Sequence, residues 1–390
     1  MYDFDKVIDR TGTNCVKWDD VYEHGLTDVL PMWVADMDFE VSPYIIEEMQ
    51  KVLDRKVFGY QYTTDEYEAA IVSWMKRRHR YDIEKDWICY TPNVVSGLCL
   101  AIMAVSEPGD EIIIQTPVYG PFYKSIRDNG RVIVENPLKN QNGYYTMDYE
   151  DFERKITPKT KAVILCNPHN PCGRVWTEEE LKKLADICLK HDLYMISDDI
   201  HGDLVYKGHS HTVIAGLSEE IAERCIVCTA PSKTFNLAGM QIAHCIIKNK
   251  ELRRRFRKPM KQMHLEGGNS FEEAMVIGAY KYSEQWLEEL LVYLEGNVDY
   301  FVDFVKTRIP KLKVCKPEGT YLMWLDCREL QMDQDQLENF FIKECKLYIN
   351  DGTFFGEKGR GFMRMNLACP RAFVKEGLER IEKAINKLEK

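Results

Sequence analysis

The chain has 390 residues, 45% hydrophobic and 29% charged, with a formal net charge of −10. That length exceeds one small core and suits two domains sharing one site, and the composition is that of an ordinary soluble globular protein. The acidic balance argues against nonspecific nucleic-acid binding, no apolar run reaches membrane-spanning length, and the opening Met1-Tyr-Asp-Phe-Asp-Lys-Val7 lacks the basic start and apolar stretch of a signal peptide.

In chain order, residues 1–45 read as loop-rich, broken by Pro31 and Pro43. Helical patterning covers 43–53 and 65–80, and Asn93-Val-Val-Ser-Gly97 leads into a helical run at 98–105. Apolar runs then alternate with amphipathic segments, the mark of a mostly parallel sheet. Strands are expected at 112–115, 132–135, 161–166, 194–198, 225–228 and 245–247, with a helix at 119–129. Thr177-Glu-Glu-Glu180 opens another helix as a capping box. A long helical pattern runs from 272 to 306, with Gly296 as its weak point. Beyond Pro310, strands at 321–326 and 362–366 flank a helix, and a final helix follows, which reads as an α+β unit. The expected division is a large domain over 46–285 and a small domain built from 1–45 and 286–390.

Thirteen cysteines is an odd number, and Cys166, Cys225, Cys228 and Cys245 lie inside apolar strand-like runs. That suits reduced, buried thiols in a cytoplasm rather than a disulfide scaffold. Cys225 and Cys228 have C-x-x-C spacing, but residues three apart on a strand face opposite sides. His209-Ser-His211 lacks the further ligands a zinc ion needs, so no metal is expected. The basic cluster 253–258 reads as a solvated helix face, and 356–361 as a turn rather than a phosphate loop.

The chemistry sits at strand ends. Lys233 follows the apolar run 225–228, where an α/β sheet builds its sites. An amine partly withdrawn from water there can lose its proton near neutral pH and form a Schiff base with an aldehyde such as pyridoxal phosphate. Asn167 follows the strand at 161–166, Asp198 ends the strand at 194–198, and His201 lies three residues on. Parallel strands separated by helices bring such ends to one sheet edge.

The chain resembles the fold-type I pyridoxal-phosphate enzymes of the aminotransferase class I/II superfamily. Within it the closer resemblance is to the cystathionine β-lyase (C–S lyase, MalY/PatB-like) subfamily. The residues that carry it are Met32-Trp-Val-Ala-Asp-Met-Asp-Phe39, Phe58-Gly-Tyr60, Thr116-Pro-Val-Tyr119, Leu165-Cys-Asn-Pro-His-Asn-Pro-Cys-Gly-Arg174, Ser197-Asp-Asp-Ile-His201, Ser232-Lys-Thr-Phe-Asn-Leu-Ala-Gly239 and Arg364-Met-Asn-Leu-Ala-Cys-Pro-Arg371. It implies an α/β fold with a mostly parallel seven-stranded sheet and a smaller α+β domain. It also implies a homodimer whose site is shared between subunits. Lys233 is implied as the cofactor lysine and catalytic base, and Asp198 as the counter-ion of the ring nitrogen. Asn167 and His201 are implied at the phenolic oxygen, and Tyr119 stacked on the ring. Val94, Val95, Ser232 and Thr229 are implied around the phosphate, with Tyr60 reaching it from the second subunit. Arg364, Trp33 and Ala35 are implied at the substrate carboxylate, with Tyr60 also near the substrate. Many aminotransferases carry an arginine eight residues after the lysine, where this chain has Gln241. The expected function is a β-lyase acting on cystathionine or cysteine S-conjugates. An aminotransferase is the alternative, and a non-catalytic pyridoxal-phosphate-binding regulator is the reading from another class.

Overall fold

The computed structural model describes residues 2–23, 25–26, 28–265 and 267–388. Its centre is a seven-stranded sheet of β1 (Ile88–Thr91), β2 (Glu111–Thr116), β3 (Val132–Pro137), β4 (Thr160–Cys166), β5 (Tyr194–Asp198), β6 (Cys225–Thr229) and β7 (Ala243–Ile246). The order across the sheet is β1-β7-β6-β5-β4-β2-β3. Pairing is parallel from β6 through β3, and β7 runs antiparallel to both neighbours. The strands are apolar because both faces are covered. The helix Val94–Val105, the helix Lys250–Gln262 and alternate strand residues such as Ile164, Ile196 and Cys228 form one core. Val163, Met195 and Val227 face the opposite core.

A second, antiparallel sheet contains β8 (Lys313–Val314), β9 (Leu322–Asp326), β10 (Asn350–Asp351) and β11 (Phe362–Asn366), in the order β8-β9-β11-β10. Its register sets Arg364 between Trp324 on β9 and Asn350 on β10. Leu30–Pro31 pairs in parallel with Leu347–Tyr348, which ties the N-terminal segment to this part of the chain.

Several elements differ from expectation for identifiable reasons. The helix expected at 119–129 runs Pro121–Asp128, because proline is suited to the first turn, and Tyr119 is left on the approach to it. The run expected at 98–105 starts at Val94, where the Asn93 side chain accepts from Ser96 N–H at 2.9 Å. The long pattern over 272–306 is two helices, Ser270–Ile277 and Glu284–Arg308, joined through a wide turn at Gly278–Tyr282. The interruption falls where Gly278 packs on the Ile45 backbone; a Cβ there would lie 2.7 Å from Ile45 Cα. Gly296 breaks nothing and instead leaves room for the Arg371 guanidinium. β1 was not anticipated, being four residues long with only alternate residues buried. The capping box at Thr177 and Glu180 forms as expected, with reciprocal bonds of 3.2 and 2.9 Å.

Candidate active site

The strands of one direction end along one edge of the seven-stranded sheet. Loops leaving β1, β2, β4, β5 and β6 there meet residues 33–35 and the second sheet around a cavity of about 330 Å³. Each contributes what its position dictates: the helix start at Asn93–Val95, Tyr119, Asn170, Asp198 with His201, and Ser232 with Lys233. Arg364 and Asn350 enter from the second sheet, and Trp33 and Ala35 from the N-terminal segment.

Lys233 sits in the short helical turn Pro231–Thr234, and its Nζ donates to Ala35 O at 2.6 Å. Burial lowers its pKa to about 8, with Arg364 pushing the same way and Asp36 and Asp198 opposing. Burial raises the Asp198 carboxyl to about 7, and neighbouring Asp199 adds to the rise; its Oδ1 accepts from Ile200 N–H at 3.2 Å. His201 is held neutral, its pKa lowered to about 3 by burial and by the cations of Lys233 and Arg364. Its ring meets Tyr321 edge-on at 5.9 Å, and its Nδ1 has no hydrogen-bond partner among the described residues.

The Arg364 guanidinium is buried and lowered to about 10 by that burial. It donates to Trp33 O at 2.8 Å, to Asn170 Oδ1 at 3.2 Å and to Asn350 Oδ1, while its Nε has no partner among the described residues. All three acceptors are neutral, so the cation's full charge remains available to an anion. Residues 33–39 are pinned from both sides. Asn366 Nδ2 donates to Val34 O and Asp36 O at 2.6 Å each, and Asn236, from the Lys233 loop, bonds Met37 and Phe39. Beneath them Lys17 and Arg10 pair with buried Asp38 at 2.5 and 2.7 Å.

Three expected site residues lie elsewhere. Asn167 does not line the cavity. Its N–H continues the sheet ladder to Asp198 O at 2.9 Å, so side-chain alternation turns it away from the face that carries Cys166. Its Nδ2 donates to Thr212 O at 2.9 Å. The amide that this motif brings to the cavity is Asn170, three residues on; its signal was the second Asn-Pro pair of the same motif. Thr229 is displaced by the same alternation, facing away from the cavity to hydrogen-bond Tyr280. Tyr60 is fully exposed and outside its own chain's cavity, beside exposed Val57, Phe58 and Tyr62. Trp33, Ala35, Val94, Val95, Tyr119, Asp198, His201, Ser232, Lys233 and Arg364 do converge on the cavity. Asn350 and Phe354 also line it, and no sequence motif marks them; the β10–β11 register brings Asn350 to Arg364.

The donor set fits pyridoxal phosphate. A buried amine can take the aldehyde, and the buried Asp198 carboxyl, which makes no ion pair among the described residues, can take the ring nitrogen. Because Asn93 caps Ser96 N–H, the preceding N–H groups of Val94 and Val95 remain at the cavity wall for a phosphate. Among the described residues no group of three or more His, Cys, Asp or Glu could hold a metal ion. The aminotransferase class I and II family model matches residues 27–381.

The chain belongs to that family. It is 42% identical over 385 residues to the cystathionine β-lyase PatB of Bacillus subtilis, covering 98% of this chain and 100% of the relative. Protein MalY of Escherichia coli is 36% identical over 389 residues, covering 99% of each chain. Among solved structures, cystalysin from Treponema denticola, which contains a pyridoxal 5′-phosphate cofactor, superposes with a TM-score of 0.97 at 40% identity, covering 100% of both chains.

Proposed function

We propose that this chain is a pyridoxal-phosphate-dependent carbon–sulfur β-lyase. It cleaves cystathionine or related cysteine S-conjugates to a thiol, pyruvate and ammonia. The observation that carries the reading is the full-length likeness to a cystathionine β-lyase, joined to a cavity holding one buried amine, one buried carboxyl and one buried guanidinium.

When bound, pyridoxal phosphate supplies an aldehyde for the substrate amine and an electron-withdrawing ring for the electron pair left at Cα. Arg364 grips the α-carboxylate as a planar fork held in place by Trp33 O and Asn350. Lys233 Nζ, with its pKa near 8, removes the Cα proton. Asp198 keeps a proton on the ring nitrogen. Asn170 gives its Oδ1 to Arg364, which leaves Nδ2 to donate to the phenolic oxygen beside His201. Tyr119 covers the ring and excludes water. Val94 and Val95 N–H, the Ser232 hydroxyl and Gln241 serve the phosphate. The C–S bond breaks with its electron pair on sulfur, a good leaving group because a thiol has a pKa of about 8.5. One water then hydrolyses the released enamine to pyruvate and ammonia.

The exposed run Val57, Phe58, Tyr60 and Tyr62 supports a homodimer in which Tyr60 completes the partner's phosphate site and lies near its substrate. The pairing of Leu30–Pro31 with Leu347–Tyr348 supports a small domain of 1–45 and 286–390 beside a large domain of 46–285. All thirteen cysteines are free, which supports a cytoplasmic enzyme. Among the described residues no helix is long and apolar enough to cross a membrane.

The test is to give the purified protein cystathionine without a keto acid and assay pyruvate. Pyruvate supports the lyase. Glutamate formed only with 2-oxoglutarate would make the chain an aminotransferase, and no turnover of any amino acid would leave a regulator.

A further inference from the structure

β5 ends at Asp198 and Asp199 follows it directly, and alternation turns these two consecutive carboxylates to opposite sides. Asp198 lines the cavity, whereas Asp199 is buried behind it. Asp199 Oδ1 accepts from the Ser197 hydroxyl, and its Oδ2 lies 2.9 Å from His211 Nε2. Its N–H donates to Cys228 O at 2.8 Å. The His211 ring meets the His79 ring edge-on, with centroids 5.2 Å apart, and His79 Nε2 lies 2.8 Å from Asp203 Oδ1. Asp203 returns to the lysine turn: its Oδ2 accepts from the Thr234 hydroxyl at 2.7 Å, and its Oδ1 from Trp74 Nε1 at 3.1 Å. Two Asp–His pairs, in contact through their rings, therefore run behind the site. One is anchored on the residue after Asp198 and the other on the residue after Lys233.

Neither pair is used by the reaction as derived above. The histidines also line a second cavity of about 490 Å³, which shares no lining residue with the first. The titratable and charged groups around His211 are Asp199 and His79, with Arg80, Tyr81, Glu178 and His209 across that cavity. Asp199 also acts on Tyr81 and Cys225, whose pKa values it helps burial to raise. Ser197 and His211 thus fix the Asp199 carboxyl one residue from Asp198, the group that must hold a proton at the ring nitrogen, and Asp199 adds to the rise that burial gives the Asp198 carboxyl. Like charges close together favour the protonated form of their neighbour.

We propose that Asp199, held by Ser197 and His211, is a positioning residue whose charge sets how tightly Asp198 and the ring nitrogen beside it retain their shared proton. The proposal rests on the pyridoxal-phosphate reading above. The Asp203–His79 pair fixes the lysine turn and does not set this proton.

The test is Asp199→Asn against Asp203→Asn. In the cofactor-free full-length chain, difference infrared spectroscopy follows the Asp198 carboxyl through its titration. Asp199→Asn lowers its midpoint by about one unit, and Asp203→Asn leaves it where it was while lowering the melting temperature. In the holoprotein loaded with ring-15N pyridoxal phosphate, Asp199→Asn moves the ring resonance towards unprotonated pyridine and lowers kcat/KM by about tenfold. If Asp199→Asn does not fold, Ser197→Ala serves: losing one donor concentrates the Asp199 charge and raises the Asp198 midpoint. A folded Asp199→Asn or Ser197→Ala protein with the wild-type midpoint, or an equal shift in Asp203→Asn, overturns the proposal. The carboxyl titration needs neither turnover nor cofactor, so loss of the lyase reading leaves it standing as a separate result.

Discussion

Burial sets the Lys233 amine at a pKa of about 8 instead of the ordinary 10.5. At pH 7 a pKa of 8 leaves about 9% of the amine as free base, against about 0.03% for an unshifted lysine, a gain of about 300-fold in nucleophile. Covalent capture of pyridoxal phosphate by the cofactor-free chain is therefore expected to speed up about tenfold per pH unit below pH 8 and to level off above it. Arg364 is one of the groups pressing this pKa down, and Asp198 one of those holding it up. Arg364→Met is expected to raise the midpoint by about one unit, slowing capture at pH 7 about tenfold, and Asp198→Asn to lower it. Stopped-flow absorbance follows the capture, and borohydride reduction with peptide mass spectrometry locates the label. A rate still climbing beyond about pH 9.5, a midpoint that falls in Arg364→Met, or a label on any residue but Lys233 would refute the reasoning.

Arg364→Lys keeps the charge but loses the fork shared with Trp33 O, Asn170 and Asn350. Steady-state kinetics should show a loss in kcat/KM of about 2–3 kcal/mol, or roughly 30–150-fold. His169, His201 and His244 are held neutral by burial, with pKa values of about 4, 3 and 3. Their folded pKa values lie below the unfolded value, so between about pH 6.5 and 4 the unfolded chain binds more protons. Stability therefore falls with falling pH, by up to about 1.4 kcal/mol per unit for each histidine. Urea unfolding of His244→Gln should show a shallower acid slope, and an unchanged slope would count against a neutral buried His244. Gly278→Ala forces a methyl to within 2.7 Å of Ile45 Cα and should cost about 1–3 kcal/mol. Gly296→Ala meets only the movable end of Arg371 and gains helix propensity, so its melting temperature should stay near wild type. Asn170→Ala should weaken cofactor retention on dialysis more than Asn167→Ala, because only Asn170 lines the cavity.

The sequence made most of this site legible because its polar residues stand at the ends of apolar runs. Lys233, Asp198, His201 and Tyr119 needed only a parallel sheet to bring them together. What it left hidden is a matter of faces and registers. Asn167 and Thr229 lie one residue beyond Cys166 and Cys228, which share the sheet face of Asp198, and on a strand one residue reverses the side chain. Because Cys166 and Cys228 each pair with Asp198 in the sheet register, alternation rules out both neighbours once Asp198 is fixed. The same arithmetic places Asp199 behind the site, where its pairing with His211 belongs to no contiguous motif. Asn350 and Asp203 lie further from recognition, since they reach Arg364 and Thr234 through contacts that only the folded chain creates. The cavity residues that stand at strand ends are thus the part of the site written locally, while the residues packed behind or across from them depend on which strand lies beside which.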